Sequence, residues 1–108
     1  MLKLSVVQFT PLWDNKALNH GRIASLIKDL ESDIIVLPEL CTTGYSFLTK
    51  AEALAEAEEL DGKSIAFFRQ AAIDKRAMII AGFAEQDGEN AYNSSVAALP
   101  DGSIRIFR

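Results

Sequence analysis

The stretch DIIVLPELCTTGY, residues 33–45, places a carboxylate directly after a strand. Its apolar run, residues 34–37, predicts a strand buried on both faces. Pro38 cannot donate to a sheet ladder and therefore ends that strand. Glu39 comes next, and sites in open α/β sheets collect just beyond the carboxyl ends of strands. Position alone favours an ordinary solvated loop glutamate over a catalytic acid/base.

Upstream and just downstream of this stretch, the pattern alternates between strand and helix. Leu2 to Phe9 is predicted to be the first strand, stopped by Pro11. Residues 15–31 are predicted to form an amphipathic helix, because apolar residues recur there at helical spacing. The Ala- and Glu-rich segment TKAEALAEAEEL, residues 49–60, indicates a solvated helix that contributes little to the core.

The second half of the chain continues the same alternation. DGKSIAFFRQAAIDKR, residues 61–76, predicts a second amphipathic helix, and AMIIAGFAE, residues 77–85, a buried strand. The tail YNSSVAALPDGSIRIF, residues 92–107, predicts a hairpin, because Pro-Asp-Gly-Ser supplies turn residues between two strand-like runs. The order predicts an α/β layer whose helices cover one face of a sheet.

Bulk composition narrows the class of protein. The 108 residues suffice for one domain or part of one. The net charge of −4, without any run of Lys or Arg, argues against partners such as nucleic acid or an anionic membrane. A single cysteine permits no internal disulfide and indicates a reducing compartment. Because no signal peptide or membrane span is recognisable, we expect a cytoplasmic protein.

Three motifs together resemble the nitrilase, or carbon–nitrogen hydrolase, superfamily. They are an amino-terminal strand containing Gln8, the DIIVLPELCTTGY stretch, and IIAGFAE followed by YNSSVAALPDGSI. The resemblance covers essentially the whole chain, in order. It implies an α/β fold of the nitrilase type, the αββα sandwich. Residues 1–108 would form the amino-terminal part of a single carbon–nitrogen hydrolase domain, with four to five strands and two to three helices.

The same resemblance implies a chemistry. The family hydrolyses small amides or nitriles with a Glu-Lys-Cys triad, through a thioester-type intermediate and without a cofactor. Only the glutamate carries over, onto Glu39 as general base; the lysine and the cysteine would lie beyond Arg108. The isolated chain should then be inactive. Its sheet should have an open apolar face, and we expect a homo-oligomer or marginal stability.

Two residues near Glu39 have competing interpretations. Cys41 lies two residues away, but we expect a small, partly buried packing residue, since a nucleophilic thiolate needs a base and a cationic setting. Tyr45, in the Gly-Tyr pair, is predicted to line the substrate pocket, together with Phe47. The alternative is that both aromatic rings simply cover the edge of the core. Gly44 is expected to adopt a backbone conformation closed to other residues.

Other polar residues are predicted to be structural. Asn93, in Tyr-Asn-Ser, resembles an asparagine that bonds to backbone at a strand start, and the lesser alternative is a hydroxyl contact from this motif to the site. Glu85 is expected to form an ion pair. His20, off the apolar stripe, is predicted to be a solvated helix residue. One His and one Cys cannot form a metal site at this spacing.

Two rival functions remain. One is a non-enzymatic α/β interaction module that keeps the fold without the chemistry. The other, a nucleotide binder, is disfavoured because DGKS neither follows a strand nor carries the leading glycine of a phosphate loop. The sequence leaves amide and nitrile substrates equally open.

Overall fold

Five strands form a single mixed sheet, as seen in the computed structural model, which describes residues 1–108. The strands are β1 (Leu4–Val6), β2 (Ile34–Val36), β3 (Met78–Asp87), β4 (Asn90–Ala98) and β5 (Ile104–Phe107). They lie in the sheet in chain order. β1, β2 and β3 are parallel, whereas β3, β4 and β5 are antiparallel. The predicted order of strands and helices is confirmed.

Three helices connect the parallel strands: α1 (Lys16–Ile27), α2 (Lys50–Glu56) and α3 (Lys63–Lys75). The side chain of Asn15 caps α1, and that of Thr49 caps α2, each by accepting from a backbone N–H of the first turn. No residue of α2 is buried, which confirms the predicted solvated helix. No helix in the structure has the length and apolar character needed to cross a membrane.

The core lies between the sheet and the pair α1 and α3. Alternate residues of β3 point into it, as the two-residue period of a strand requires. The large, fully buried side chains of this core come from both helices and the central strands: Ile23, Ile35, Ile65, Phe68, Ile79, Phe83 and Val96. The two helices therefore cover one face, as the sequence predicted.

The opposite face of the sheet is largely open. Leu4 and Val6 of β1 and Phe107 of β5 are 60%, 69% and 66% exposed. On this face, only the ends of β3 and β4 next to the turn that joins them are covered, by a small apolar cluster that includes Leu40 and Ala57. The predicted open apolar face is confirmed.

Element boundaries differ from the predicted ones. β1 is three residues long, not eight, because it lies at the sheet edge and pairs only with the equally short β2. α1 ends at Ile27, before the predicted limit at residue 31, because the N–H of Leu30 bonds the carbonyl of Ile27 in a tight turn. The β4–β5 hairpin is confirmed. A second hairpin, between β3 and β4, was not predicted and turns at Gly88, where φ is 61°.

Candidate active site

Glu39 lies where the chain leaves β2 and crosses β3. The backbone is fixed on both sides of it: the N–H of Gly82 donates to the carbonyl of Pro38 (3.1 Å), and the N–H of Cys41 donates to the carbonyl of Gly82 (3.0 Å). A Cβ on Gly82 would come within 2.6 Å of the Glu39 α-carbon. Only glycine allows this crossing, and a lone glycine inside a strand is the sequence signal that could have revealed it.

The Glu39 carboxylate is exposed, and one of its oxygens is held by Asn93. The side-chain Nδ2 of Asn93 donates to Oε1 of Glu39 at 2.6 Å, across 54 residues of sequence. Asn93 lies inside β4, opposite Ala84 of β3, not at a strand start. The prediction that Asn93 bonds to backbone is therefore wrong: pairing of β4 with β3 carries its side chain to Glu39.

A cleft of about 350 Å³ surrounds this pair on the open face of the sheet. Its walls include apolar side chains from β3 and β5 and a hydroxyl from β4: Ile80, Phe107 and Ser95. Neither a lysine nor a cysteine lines the cleft. The site thus offers one carboxylate in a cleft whose lining is part apolar and part polar and includes the side chain of Arg108.

Cys41 is not a candidate nucleophile in this structure. Its side chain is fully buried in the main core, and burial raises the pKa of the thiol to about 12. A thiol with such a pKa is not ionised at neutral pH and is therefore inert as a nucleophile. The prediction of a small packing residue is confirmed, with burial complete where it was expected to be partial.

The two predicted pocket aromatics lie in the loop that follows Glu39. Tyr45 is 58% exposed and does not line the cleft. Phe47 packs edge-on against Trp13, with ring centroids 5.2 Å apart. Gly44 has φ of 77°, in the left-handed region, as predicted. A substrate contact by Tyr45 stays a prediction.

Glu85 forms the predicted ion pair, on the helix-covered face of the sheet. It is buried, accepts a hydrogen bond from Ser94 Oγ (2.7 Å) and pairs with the guanidinium of Arg108 (2.7 Å). The hydrogen bonds from Arg108 are the main cause that lowers the pKa of Glu85. This carboxylate is neutralised and therefore structural.

His20 is not the solvated residue that the sequence predicted. Its ring stacks on Phe67 with centroids 4.8 Å apart, and Nε2 lies 2.8 Å from Oγ of Ser64. Burial lowers the pKa of His20. His20, Ile23 and Ile27 recur at i, i+3 and i+7, so the histidine extends the apolar stripe by one turn. That spacing was the overlooked signal.

Comparison with known proteins decides the family. The sequence model of the family described as Carbon-nitrogen hydrolase matches residues 3–108, nearly the whole chain. This chain belongs to the carbon–nitrogen hydrolase family.

Named relatives of this chain include two types of enzyme. It is 36% identical over 112 residues to a nitrilase of Pyrococcus abyssi (strain GE5 / Orsay), covering 100% of this chain and 43% of the relative. It is 30% identical over 104 residues to omega-amidase YafV of Yersinia enterocolitica, covering 95% of this chain and 39% of the relative. The chain thus spans about two fifths of the length of these relatives.

Solved structures agree with this assignment. XC1258 of Xanthomonas campestris, a CN-hydrolase superfamily protein with an arsenic adduct in the active site, matches with a TM-score of 0.89 and 30% identity. The match covers 98% of this chain and 39% of that one. An N-terminal amidase matches with a TM-score of 0.91 and 26% identity, over 99% and 27% of the two chains. The predicted nitrilase-type fold class is confirmed, with five strands and three helices in residues 1–108.

Proposed function

We propose that this carbon–nitrogen hydrolase cleaves a small amide or nitrile, with Glu39 as the general base of a Glu-Lys-Cys triad. The observation that supports this role is the state of the Glu39 carboxylate. It is exposed in the cleft and held by a neutral amide, and no cation pairs with it. Glu85, in contrast, is neutralised by Arg108. A base must be oriented without being neutralised, and of these two carboxylates only Glu39 meets both conditions.

In the proposed hydrolysis of an amide, Glu39 carries a proton in each of two steps. Glu39 takes the proton of the cysteine thiol, and the thiolate sulfur bonds to the carbonyl carbon. The C–N bond then breaks, the amine leaves with the proton from Glu39, and an acyl thioester remains. Glu39 next removes a proton from water, whose oxygen bonds to the acyl carbon as the C–S bond breaks. Glu39 returns that proton to the departing sulfur, so acid and free thiol result, and the lysine cation stabilises the developing oxyanion.

The lysine and the cysteine are proposed to lie beyond Arg108, as the family resemblance implies. Among residues 1–108, neither residue type lines the cleft, and Cys41 is buried in the core. We therefore expect the 108-residue chain alone to release no ammonia from amides or nitriles. Its exposed apolar face should make it self-associate or leave it marginally stable. A homo-oligomeric assembly of the whole protein and a substrate contact by Tyr45 are parts of the same proposal.

The test is ammonia release by the full-length protein from propionamide, succinamic acid, benzamide and propionitrile. Glu39→Gln is nearly isosteric and should lower turnover by about 10²–10⁴-fold while leaving the melting temperature unchanged. Glu89→Gln, at an exposed glutamate within the β3–β4 turn, is the matched control and should retain full activity.

Two outcomes would contradict the proposal. Turnover of Glu39→Gln within about tenfold of wild type would remove Glu39 from the role of base. A folded full-length protein that releases no ammonia from any of these four compounds would favour the rival function, an interaction module without the chemistry.

A further inference from the structure

The amide of Asn93 holds one oxygen of Glu39 and leaves the other without a protein partner. Nδ2 donates to Oε1 at 2.6 Å, and no second protein group contacts the carboxylate by a hydrogen bond. We infer that Asn93 is a positioning residue that makes Oε2 the oxygen through which Glu39 accepts and returns the proton. The inference rests on the proposed function and adds a second residue to it.

The orientation of the Asn93 amide follows from the chemistry of its partner. An ionised carboxylate only accepts hydrogen bonds, so the nitrogen of the amide, and not its oxygen, must face Oε1. A hydrogen bond to an oxygen stabilises its negative charge and makes it the poorer acceptor of a proton. Oε2 makes no hydrogen bond to the protein and is therefore the oxygen left free to accept a proton.

The two residues differ in how firmly the fold holds them. Asn93 lies within β4, paired with Ala84 in the longest ladder of the sheet. Glu39 lies in a loop, and the two backbone bonds to Gly82 fix its main chain but not its side-chain torsions. A glutamate has three such torsions, and free rotation about them would scatter the carboxylate over several positions. The strand-borne amide selects one of those positions.

A purely stabilising role for this hydrogen bond is a poor fit to the structure. Both Asn93 and Glu39 are solvent-exposed, and an exposed hydrogen bond contributes little to folding because water replaces it when it is lost. Placement of a reacting group is far more sensitive, since a misplacement of about 1 Å costs roughly 100-fold in rate. Loss of the amide should therefore reduce catalysis much more than stability.

The experiment compares Asn93→Ala, Asn93→Asp and the matched control Asn90→Ala in the full-length protein, with propionamide or whichever of the four compounds wild type hydrolyses fastest. Asn90 is also an exposed asparagine of β4 but makes no side-chain hydrogen bond. We expect Asn93→Ala to lower kcat by about 10- to 100-fold with KM within about threefold, and Asn90→Ala to match wild type.

Asn93→Asp tests whether the N–H donor of Asn93, and not the size of its side chain, is what matters. The side chain keeps its size but replaces the N–H donor with a second carboxylate, and two carboxylates this close share one proton until the pH rises. The acidic limb of the kcat/KM profile should therefore move to higher pH in Asn93→Asp and stay in place in Asn90→Ala. A role limited to stability would not move this limb.

The outcomes distinguish this inference from the proposed function. If Glu39→Gln abolishes turnover while Asn93→Ala keeps kcat within about threefold of wild type, Glu39 remains the base and the positioning role is lost. If Asn93→Ala fails to fold, Asn93→Asp decides: a folded Asn93→Asp protein with wild-type kcat and an unmoved acidic limb overturns the inference. An inactive wild-type protein contradicts the proposed function itself and removes the inference with it.

Discussion

Gly82 lies directly under Glu39, so close that a Cβ on Gly82 would come within 2.6 Å of the Glu39 α-carbon and 2.7 Å of the Leu40 nitrogen. The neighbouring atoms are backbone, which cannot rotate away as the end of a flexible side chain can. The same glycine donates to Pro38 and accepts from Cys41. The position of the candidate base therefore depends on the absence of a side chain on the adjacent strand.

Gly82→Ala should displace the loop that carries Glu39. Overpacking of a tight site typically costs about 1–3 kcal/mol of stability, and a shift of the carboxylate by about 1 Å should lower turnover roughly 100-fold. Urea unfolding and ammonia release by the full-length protein measure the two effects.

Gly21→Ala is the matched control for that substitution. Gly21 lies within α1, and a Cβ there would meet nothing within 4 Å. Because alanine favours a helix over glycine, this variant should be more stable by about 0.5–1 kcal/mol, with unchanged activity. A Gly82→Ala protein as stable and as active as wild type would show that the crossing tolerates a side chain.

The sequence predicts best those features that depend on interactions between residues close together in the chain. α1, α3 and the β4–β5 hairpin depend on local periodicity and turn residues, so their existence was predictable from short windows. The ends of these elements were less predictable. After α1, the N–H of Leu30 bonds the carbonyl of Ile27 in a tight turn and does not continue the helical hydrogen-bond pattern. The end of a helix depends on such individual bonds, which a periodic pattern does not contain.

The candidate site was only half predictable for the same reason. Glu39 follows a recognisable strand end, but its partner Asn93 is 54 residues away. Their contact requires both the register of β4 on β3 and the close crossing at Gly82. Neither is encoded in the residues next to Glu39. A motif such as Tyr-Asn-Ser marks the asparagine without showing what it contacts.

Cys41 should be unreactive in the folded chain and tolerant of replacement. It is the only thiol among the 108 residues, and burial raises its pKa to about 12. Ellman's reagent at pH 8 should therefore label the native chain slowly and the chain in guanidinium chloride at once. Cys41→Ala should cost about 1 kcal/mol of stability and leave full-length activity near wild type. Rapid native labelling, or covalent capture of a substrate-like electrophile at Cys41, would contradict its assignment as a packing residue.

Glu85 should make stability depend on acidic pH. The pKa of Glu85 is lowered in the folded state, mainly by hydrogen bonds from Arg108. The ionised carboxylate therefore contributes to folding stability above its unfolded pKa of about 4.3, and this contribution is lost as the pH falls through the folded pKa. Glu85→Gln should cost about 1–2 kcal/mol at pH 7, because its amide turns a donor toward the donors of Arg108 or Ser94. Urea unfolding should show that difference narrowing below about pH 4.3. A difference that is constant with pH would contradict the ion pair.

His20 should produce a separate loss of stability at mildly acidic pH. Ser64 Oγ donates its one hydrogen to Glu58, so Nε2 of His20 must donate to Ser64, and the neutral ring carries its proton on Nε2. Burial lowers the pKa of His20, outweighing the opposing effect of Glu58; Lys16 lowers it further. Because the pKa of His20 is lower in the folded state, the neutral ring contributes to folding stability above its unfolded pKa of about 6.5. This contribution is lost as the pH falls below that value.

His20→Gln isolates this titration, since glutamine offers an N–H donor and has no charge to gain. His20 is the only histidine of the chain, and no other side chain has an unperturbed pKa between 5 and 8. Because His20 is only partly buried, wild type should lose less than about 1 kcal/mol of stability between pH 6.5 and 5.5, and His20→Gln should lose almost none of it. Unfolding in urea at half-unit pH steps measures both slopes. Equal slopes in the two proteins would show that His20 titrates in the folded state as it does in the unfolded state, and that its packing against Phe67 does not exclude the charged ring.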